Sequence, residues 1–74
     1  MPIVKLHGVV ALDTNIESFK TNITNLDWIK GLIPISRRRI NHLLIYVNGK
    51  EVSRFKKYVN KDDEAVFIAP AGGY

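Results

Sequence analysis

Leu43-Leu44-Ile45-Tyr46-Val47 runs straight into Asn48-Gly49, and no other stretch restricts the fold so strongly. Leucine, β-branched and aromatic residues in a row suit a pleated, half-buried surface. Asn-Gly tolerates the positive φ that a tight two-residue hairpin turn needs at both central positions. Lys50-Glu51-Val52 is then the return strand. The chain must therefore build an antiparallel sheet. A hairpin alone is marginal in water, so further strands and a cover for the apolar face must come from the rest of the sequence.

That rest is short. With 74 residues the chain makes one small domain, and a domain of this size buries only about 60% of the surface its unfolded chain exposes. Each core residue matters, and a large internal ligand cavity is not expected. There are no cysteines, which excludes disulfides, thiolate metal sites and a cysteine nucleophile. No run approaches the ~18 apolar residues of a membrane span, and no leader pattern opens the chain. The reading is a soluble, cytoplasmic protein with no membrane partner. The net charge of +4 gathers in Arg37-Arg38-Arg39 and in Arg54, Lys56 and Lys57. The arginine run lacks interleaved aromatics, which argues against single-stranded nucleic acid. A solvated basic face or an acidic protein partner fits it better.

Ahead of the hairpin, Ile3 to His7 reads as strand one, with Val4 and Leu6 on one face. Val9 to Leu12 is short and apolar and extends that strand or lines a wide hairpin. Asp13-Thr14-Asn15 is a turn cluster, and Ile16 to Thr21 alternates as strand two. Ile23, Leu26, Ile29 and Ile33 then recur at helical spacing. Asn22 or Thr24 is the expected cap, and Asp27 favours the first turn. Gly31 is expected to end the helix in a left-handed conformation, with Pro34 barring continuation. Trp28 and Leu32 form an adjoining strip that either widens the buried face or meets a partner, and burial of Trp28 is expected because so small a core needs large side chains. Ile35 to Asn41 is a basic loop with room for one helical turn opened by Ser36. Ser53 to Tyr58 is irregular, Lys61-Asp62-Asp63 is a turn, and Glu64 to Ala69 is the last strand. The order β-β-α-β-β-β gives an α+β fold: a four- to five-stranded mixed sheet with one main helix on one face. The first and last strands are expected to be parallel neighbours at its centre. Residues 1–69 form the domain and residues 70–74 a flexible tail.

The tail is Pro70-Ala71-Gly72-Gly73-Tyr74. Pro70 lacks a backbone donor and stops the ladder. Gly72 and Gly73 have minimal width. Composition alone leaves two readings: a frayed terminus, or a thin segment that reaches into another protein's cleft.

This order, ending in Gly-Gly, resembles the ubiquitin-like β-grasp proteins, and among them the small subunit of molybdopterin synthase, the thiamine sulfur carrier and the archaeal small modifiers. Three stretches carry the resemblance: the hairpin Tyr46-Val47-Asn48-Gly49-Lys50-Glu51-Val52, the acidic turn and strand from Asn60 to Pro70, and Ala71-Gly72-Gly73. The resemblance implies a β-grasp fold and a carrier that is not itself an enzyme. It binds no cofactor. An activating enzyme uses ATP to adenylate the terminal glycine carboxylate. A sulfur donor then makes a thiocarboxylate for molybdopterin- or thiamine-type sulfur transfer, or a target lysine makes an amide through Gly73. Implied partners are the activating enzyme, a sulfur-accepting synthase subunit or lysines of target proteins, and a peptidase. The peptidase arises because the family's carriers end at the second glycine, whereas here Tyr74 follows: either Gly73-Tyr74 is a processing site, the outcome the resemblance favours, or the chain no longer serves as a carrier. The segment Val9 to Asn15 also departs from the family pattern. A β-grasp interaction or RNA-binding domain with an inert tail is the alternative from another class.

The expected site is therefore the end of the chain and a docking face beside it. Leu43, Ile45 and Val47 are assigned to the core, which leaves Leu44 and Tyr46 on the open face. On the last strand Val66 and Ile68 are expected to face the helix and Phe67 to point outward. Leu44, Tyr46, Phe67, Pro70 and Ala71 then contact the partner. A slip of one residue would reverse this and bury Phe67. His7 and His42 have no cysteine or acidic cluster at ligand spacing, so no metal is expected. Ser18, Ser36 and Ser53 have no recognisable base, so no catalytic residue is expected either.

Overall fold

A computed structural model describes all 74 residues. Five strands form one sheet: β1 (Ile3–His7), β2 (Ser18–Lys20), β3 (Leu44–Val47), β4 (Lys50–Val52) and β5 (Glu64–Ile68). Their order across the sheet is β2-β1-β5-β3-β4. The parallel pair β1 and β5 is central, and the other pairings are antiparallel. Asn48 and Gly49 close the β3–β4 hairpin with φ of 53° and 81°, the conformation that Asn-Gly favours.

Three short helices accompany the sheet: α1 (Val9–Thr14), α2 (Leu26–Gly31) and α3 (Arg37–Ile40). Val10 of α1, Leu26 and Ile29 of α2 and Ile40 of α3 join Val4, Leu6, Ile45, Val47, Ala65 and Phe67 in one buried cluster. α2 is the expected helix, but shorter. Its cap is Asn25, not Asn22 or Thr24. The Asn25 side-chain oxygen accepts from the N–H groups of Asp27 at 2.9 Å and Trp28 at 3.2 Å. The start of α2 is also tied to the irregular segment, with Leu26 N–H donating to Lys57 O at 2.7 Å and Val59 N–H to Thr24 O at 2.9 Å. Gly31 is not left-handed. The helix closes instead on tighter bonds, from Leu32 N–H to Ile29 O and from Ile33 N–H to Lys30 O. The ammonium of Lys30 is buried and donates to Arg54 O at 3.0 Å.

Four further expectations are corrected. Val9 to Leu12 is helical, not strand, and strand two covers only Ser18–Lys20. Trp28 is 68% exposed, because Leu26, Ile29 and Lys30 occupy the face of α2 that meets the sheet. Phe67 is fully buried, while Val66 and Ile68 lie on the open face. The pairing dictates this. Phe67 stands opposite Leu6 on one side and Ile45 on the other, and Ala65 opposite Val4 and Val47. Residues paired across strands share a face, so a core of Val4, Leu6, Ile45 and Val47 takes Ala65 and Phe67 with it.

Candidate functional site: the chain end and the open sheet face

β5 delivers the tail. Being central, it is held by a strand on each side, so Ile68 is a fixed point from which residues 69–74 leave. Gly73 N–H donates to Pro70 O at 3.0 Å, which closes a turn. Ala71, Gly72 and Gly73 are exposed, Pro70 is half-buried, and Tyr74 is half-buried again. Gly73 has φ of 88° and needs to be glycine for that turn. Gly72 does not: its φ is ordinary and a Cβ there would meet nothing within 4 Å. Nothing in the folded chain calls for glycine at position 72.

Tyr74 folds back between α1 and α3. Its hydroxyl donates to the Asp13 carboxylate, and its ring lies 5.3 Å from the guanidinium carbon of Arg39. Arg39 also pairs with Asp13, Nη1 to Oδ2, at 3.6 Å. Arg38, Arg39 and His42 line an open groove of about 440 Å³ together with Gly72, Gly73 and Tyr74. The hydrogen bond to Asp13 holds the Tyr74 phenol above its ordinary pKa. Burial and the Asp13 charge add to the rise, while Arg39 works against it.

On the sheet's open side the register sets Leu44 beside Ile68 and Tyr46 beside Val66. His7 continues the first row and Lys5 the second. Leu44 is exposed and the other three apolar residues are half-buried. This apolar strip ends where the tail begins. Of the five residues expected to meet a partner, Leu44 and Tyr46 are on this face, Pro70 and Ala71 are in the adjoining turn, and Phe67 is not available. Val66 and Ile68 take its place. The sequence carries no signal for the meeting of Asp13, Arg39 and Tyr74. His7 and His42 are both exposed, and no group of three His, Cys, Asp or Glu side chains converges anywhere. No helix is long and apolar enough to cross a membrane.

Neither a protein-family model nor a curated protein sequence matches the chain. Among solved structures, the crystal structure of Urm1 from Sulfolobus solfataricus superposes with a TM-score of 0.71 at 23% identity, over 90% of this chain and 97% of that one. The fold is the β-grasp. At this identity the likeness shows the fold alone. The β-grasp places the diglycine just beyond its central strand, beside the apolar strip.

Proposed function

We propose that this chain is a ubiquitin-like sulfur carrier whose working group is the carboxylate of Gly73, exposed once Tyr74 is removed. The observation that carries the proposal is Gly72. It is an exposed glycine in open space with ordinary backbone angles, at the end of a β-grasp central strand. If the fold does not require glycine there, the requirement lies in what the tail enters. A narrow channel would need both glycines, since any side chain would meet its walls. Ordering them there costs about 1–2 kcal/mol per residue. Docking of Leu44, Tyr46, Val66 and Ile68 against the activating enzyme offsets that cost.

The chemistry follows from the terminus. A carboxylate oxygen of Gly73 attacks the α-phosphorus of ATP and pyrophosphate leaves, giving an acyl-adenylate. Sulfide then displaces AMP to give a thiocarboxylate directly; a persulfide displaces AMP to give an acyl disulfide, whose S–S bond a thiol attacks, releasing the thiocarboxylate and leaving a disulfide on the donor. A lysine amine displacing AMP would give an amide instead, the outcome for a protein modifier. The carrier contributes its backbone terminus and its docking face and no acid, base or metal.

The test is to present the chain ending at Tyr74 and a chain ending at Gly73 to an activating enzyme from the same cells, with ATP, and follow pyrophosphate release. Turnover is expected only for the shorter chain. Equal turnover would show that Tyr74 is no block, and none for either would remove the carrier reading. Mass spectrometry of the cellular protein then separates the two fates: one oxygen replaced by sulfur at the terminus, or a diglycine remnant on target lysines.

A further inference from the structure

We propose that Asp13, Arg39 and Tyr74 form a latch that holds the diglycine folded against the domain, so that loss of Tyr74 both creates the Gly73 carboxylate and releases the tail. The masking role rests on the carrier reading above, whereas the latch itself does not. A terminus with nothing to hold it becomes more exposed toward its end. Here the order is reversed: residues 71 to 73 are exposed and Tyr74 is half-buried and packed against the edge of the core.

Two contacts of different kinds meet on this last residue, and a third joins its two partners. The phenol donates to Asp13 at the end of α1, the ring stacks on Arg39 of α3, and Arg39 and Asp13 are paired with each other. Each side chain touches the other two, so none is held by a single interaction. The hydrogen bond from the phenol to the Asp13 carboxylate is charge-assisted, and Arg39 faces the same carboxylate oxygen as an ion pair. A guanidinium over an aromatic face adds a cation–π attraction. Gly73 belongs to the device, because its positive φ turns the chain back. Extended, the five tail residues would reach about 17 Å from the sheet. Latched, they lie in the groove beside Arg38 and His42 and cannot thread a channel.

A peptidase that removes a C-terminal aromatic residue must seat the tyrosine ring in its own pocket, so the latch has to open first. The step is hydrolysis. Water adds across the Gly73–Tyr74 peptide bond, the C–N bond breaks, a C–O bond forms on Gly73, and the proton goes to the amine of the leaving tyrosine. Both contacts that hold the tail leave with that one residue, and only the Arg39–Asp13 pair stays on the domain.

The experiment incubates the full chain with a carboxypeptidase that prefers C-terminal aromatics and measures free tyrosine. The comparisons are Asp13→Asn, Arg39→Ala and a peptide of residues 65–74, which has no domain to latch onto. Expected are slow release from the native chain, release about three- to tenfold faster from each variant, and the fastest release from the peptide. Tyr74→Phe keeps the ring and its packing and loses only the hydroxyl. Its amide relaxation at Gly72 and Gly73 is expected to show a looser tail than in the native chain. Equal release rates for native chain, variants and peptide, or unchanged relaxation in Tyr74→Phe, would overturn the latch. No activating enzyme is involved, so a chain whose variants loosen the tail but whose Gly73 form is never adenylated refutes the carrier reading and leaves the latch standing.

Discussion

Asn48 works in two places at once. Its backbone takes the positive φ of the hairpin turn, and its side chain spans to the start of β5. There Nδ2 donates to Asp63 Oδ1 at 2.8 Å and Oδ1 accepts from Glu64 N–H at 2.9 Å. Asp63 Oδ2 in turn accepts from Asn60 N–H at 2.8 Å. The hairpin motif and the acidic turn motif are thus one staple. The Asn60 N–H first, then the Asn48 amide, hold the Asp63 carboxyl below its ordinary pKa, with Lys56 assisting and slight burial opposing. A depressed folded-state pKa means the stabilisation is present above the unfolded value, about 3.9 for Asp, and is lost as pH falls through the lower folded value. Urea unfolding is therefore expected to lose stability below about pH 4, and Asp63→Asn to flatten that part of the profile while lowering stability at pH 7. Phe67 is the second residue-scale prediction. Fully buried in the core on β5, opposite Leu6 and Ile45, it is expected to cost about 3–5 kcal/mol on truncation to Ala, read as a lowered urea midpoint. Both positions were open to reasoning from sequence in different degrees. Asn48-Gly49 announces its own turn. Phe67 does not announce its face, because Val66, Phe67 and Ile68 are all apolar and alternation gives no contrast.

At the scale of the element, contrast decides what can be read. β1 shows it, since Lys5 and His7 alternate with Val4 and Leu6, and its buried face is as expected. β3 reads correctly for the same pair of faces, with Ile45 and Val47 inward. α1 has no such contrast. Val9 to Leu12 is a short apolar run, which periodicity cannot assign to strand or helix. The helix wins because Gly8, at φ of 74°, breaks the strand and Asn15, at φ of 58°, ends the next turn, so that Val10 alone enters the core. The residues of α2 were legible as helical, but its outer strip was misjudged. A buried lysine takes the edge that Trp28 was expected to fill. Trp28 and Leu32 are exposed outside the core, the arrangement expected of a strip that does not widen the buried face. Tyr46→Ala and Val66→Ala sit on the open face and are expected to leave the domain folded. If they are hot spots of docking they weaken binding of the activating enzyme by upwards of ~1 kcal/mol. Isothermal titration with the chain ending at Gly73 measures this. Unchanged affinity in both variants would move the docking face elsewhere.

For the molecule as a whole, the decisive fact is that its last strand is its middle one. β5 touches β1 on one side and β3 on the other, while β2 and β4 each have a single neighbour. Without β5 the sheet falls into two separate pairs, β2-β1 and β3-β4, and two-stranded pieces do not hold in water. Ala65 and Phe67 would leave the core with it, and Val4, Leu6, Ile45 and Val47 would lose the residues opposite them. Folding is therefore expected to require residues 63–74, so that the diglycine is presented only on a folded domain. A fragment of residues 1–62 is expected to lack the dispersed amide spectrum of a folded protein. A synthetic peptide of residues 63–74 has what the fragment lacks: the strand, the Asp63 that Asn48 grips, and Tyr74 for Asp13 and Arg39. Mixing the two is expected to restore the dispersed spectrum with one-to-one stoichiometry. A peptide with Phe67→Ala is expected to fail, since the slot between Leu6 and Ile45 would stay empty. A peptide ending at Gly73 is expected to restore the fold as well, because Tyr74 secures the tail and not the sheet. A folded 1–62 fragment would mean that the two outer pairs are stabilised by the helices alone, and β5 would then be an addition to the domain instead of its keystone.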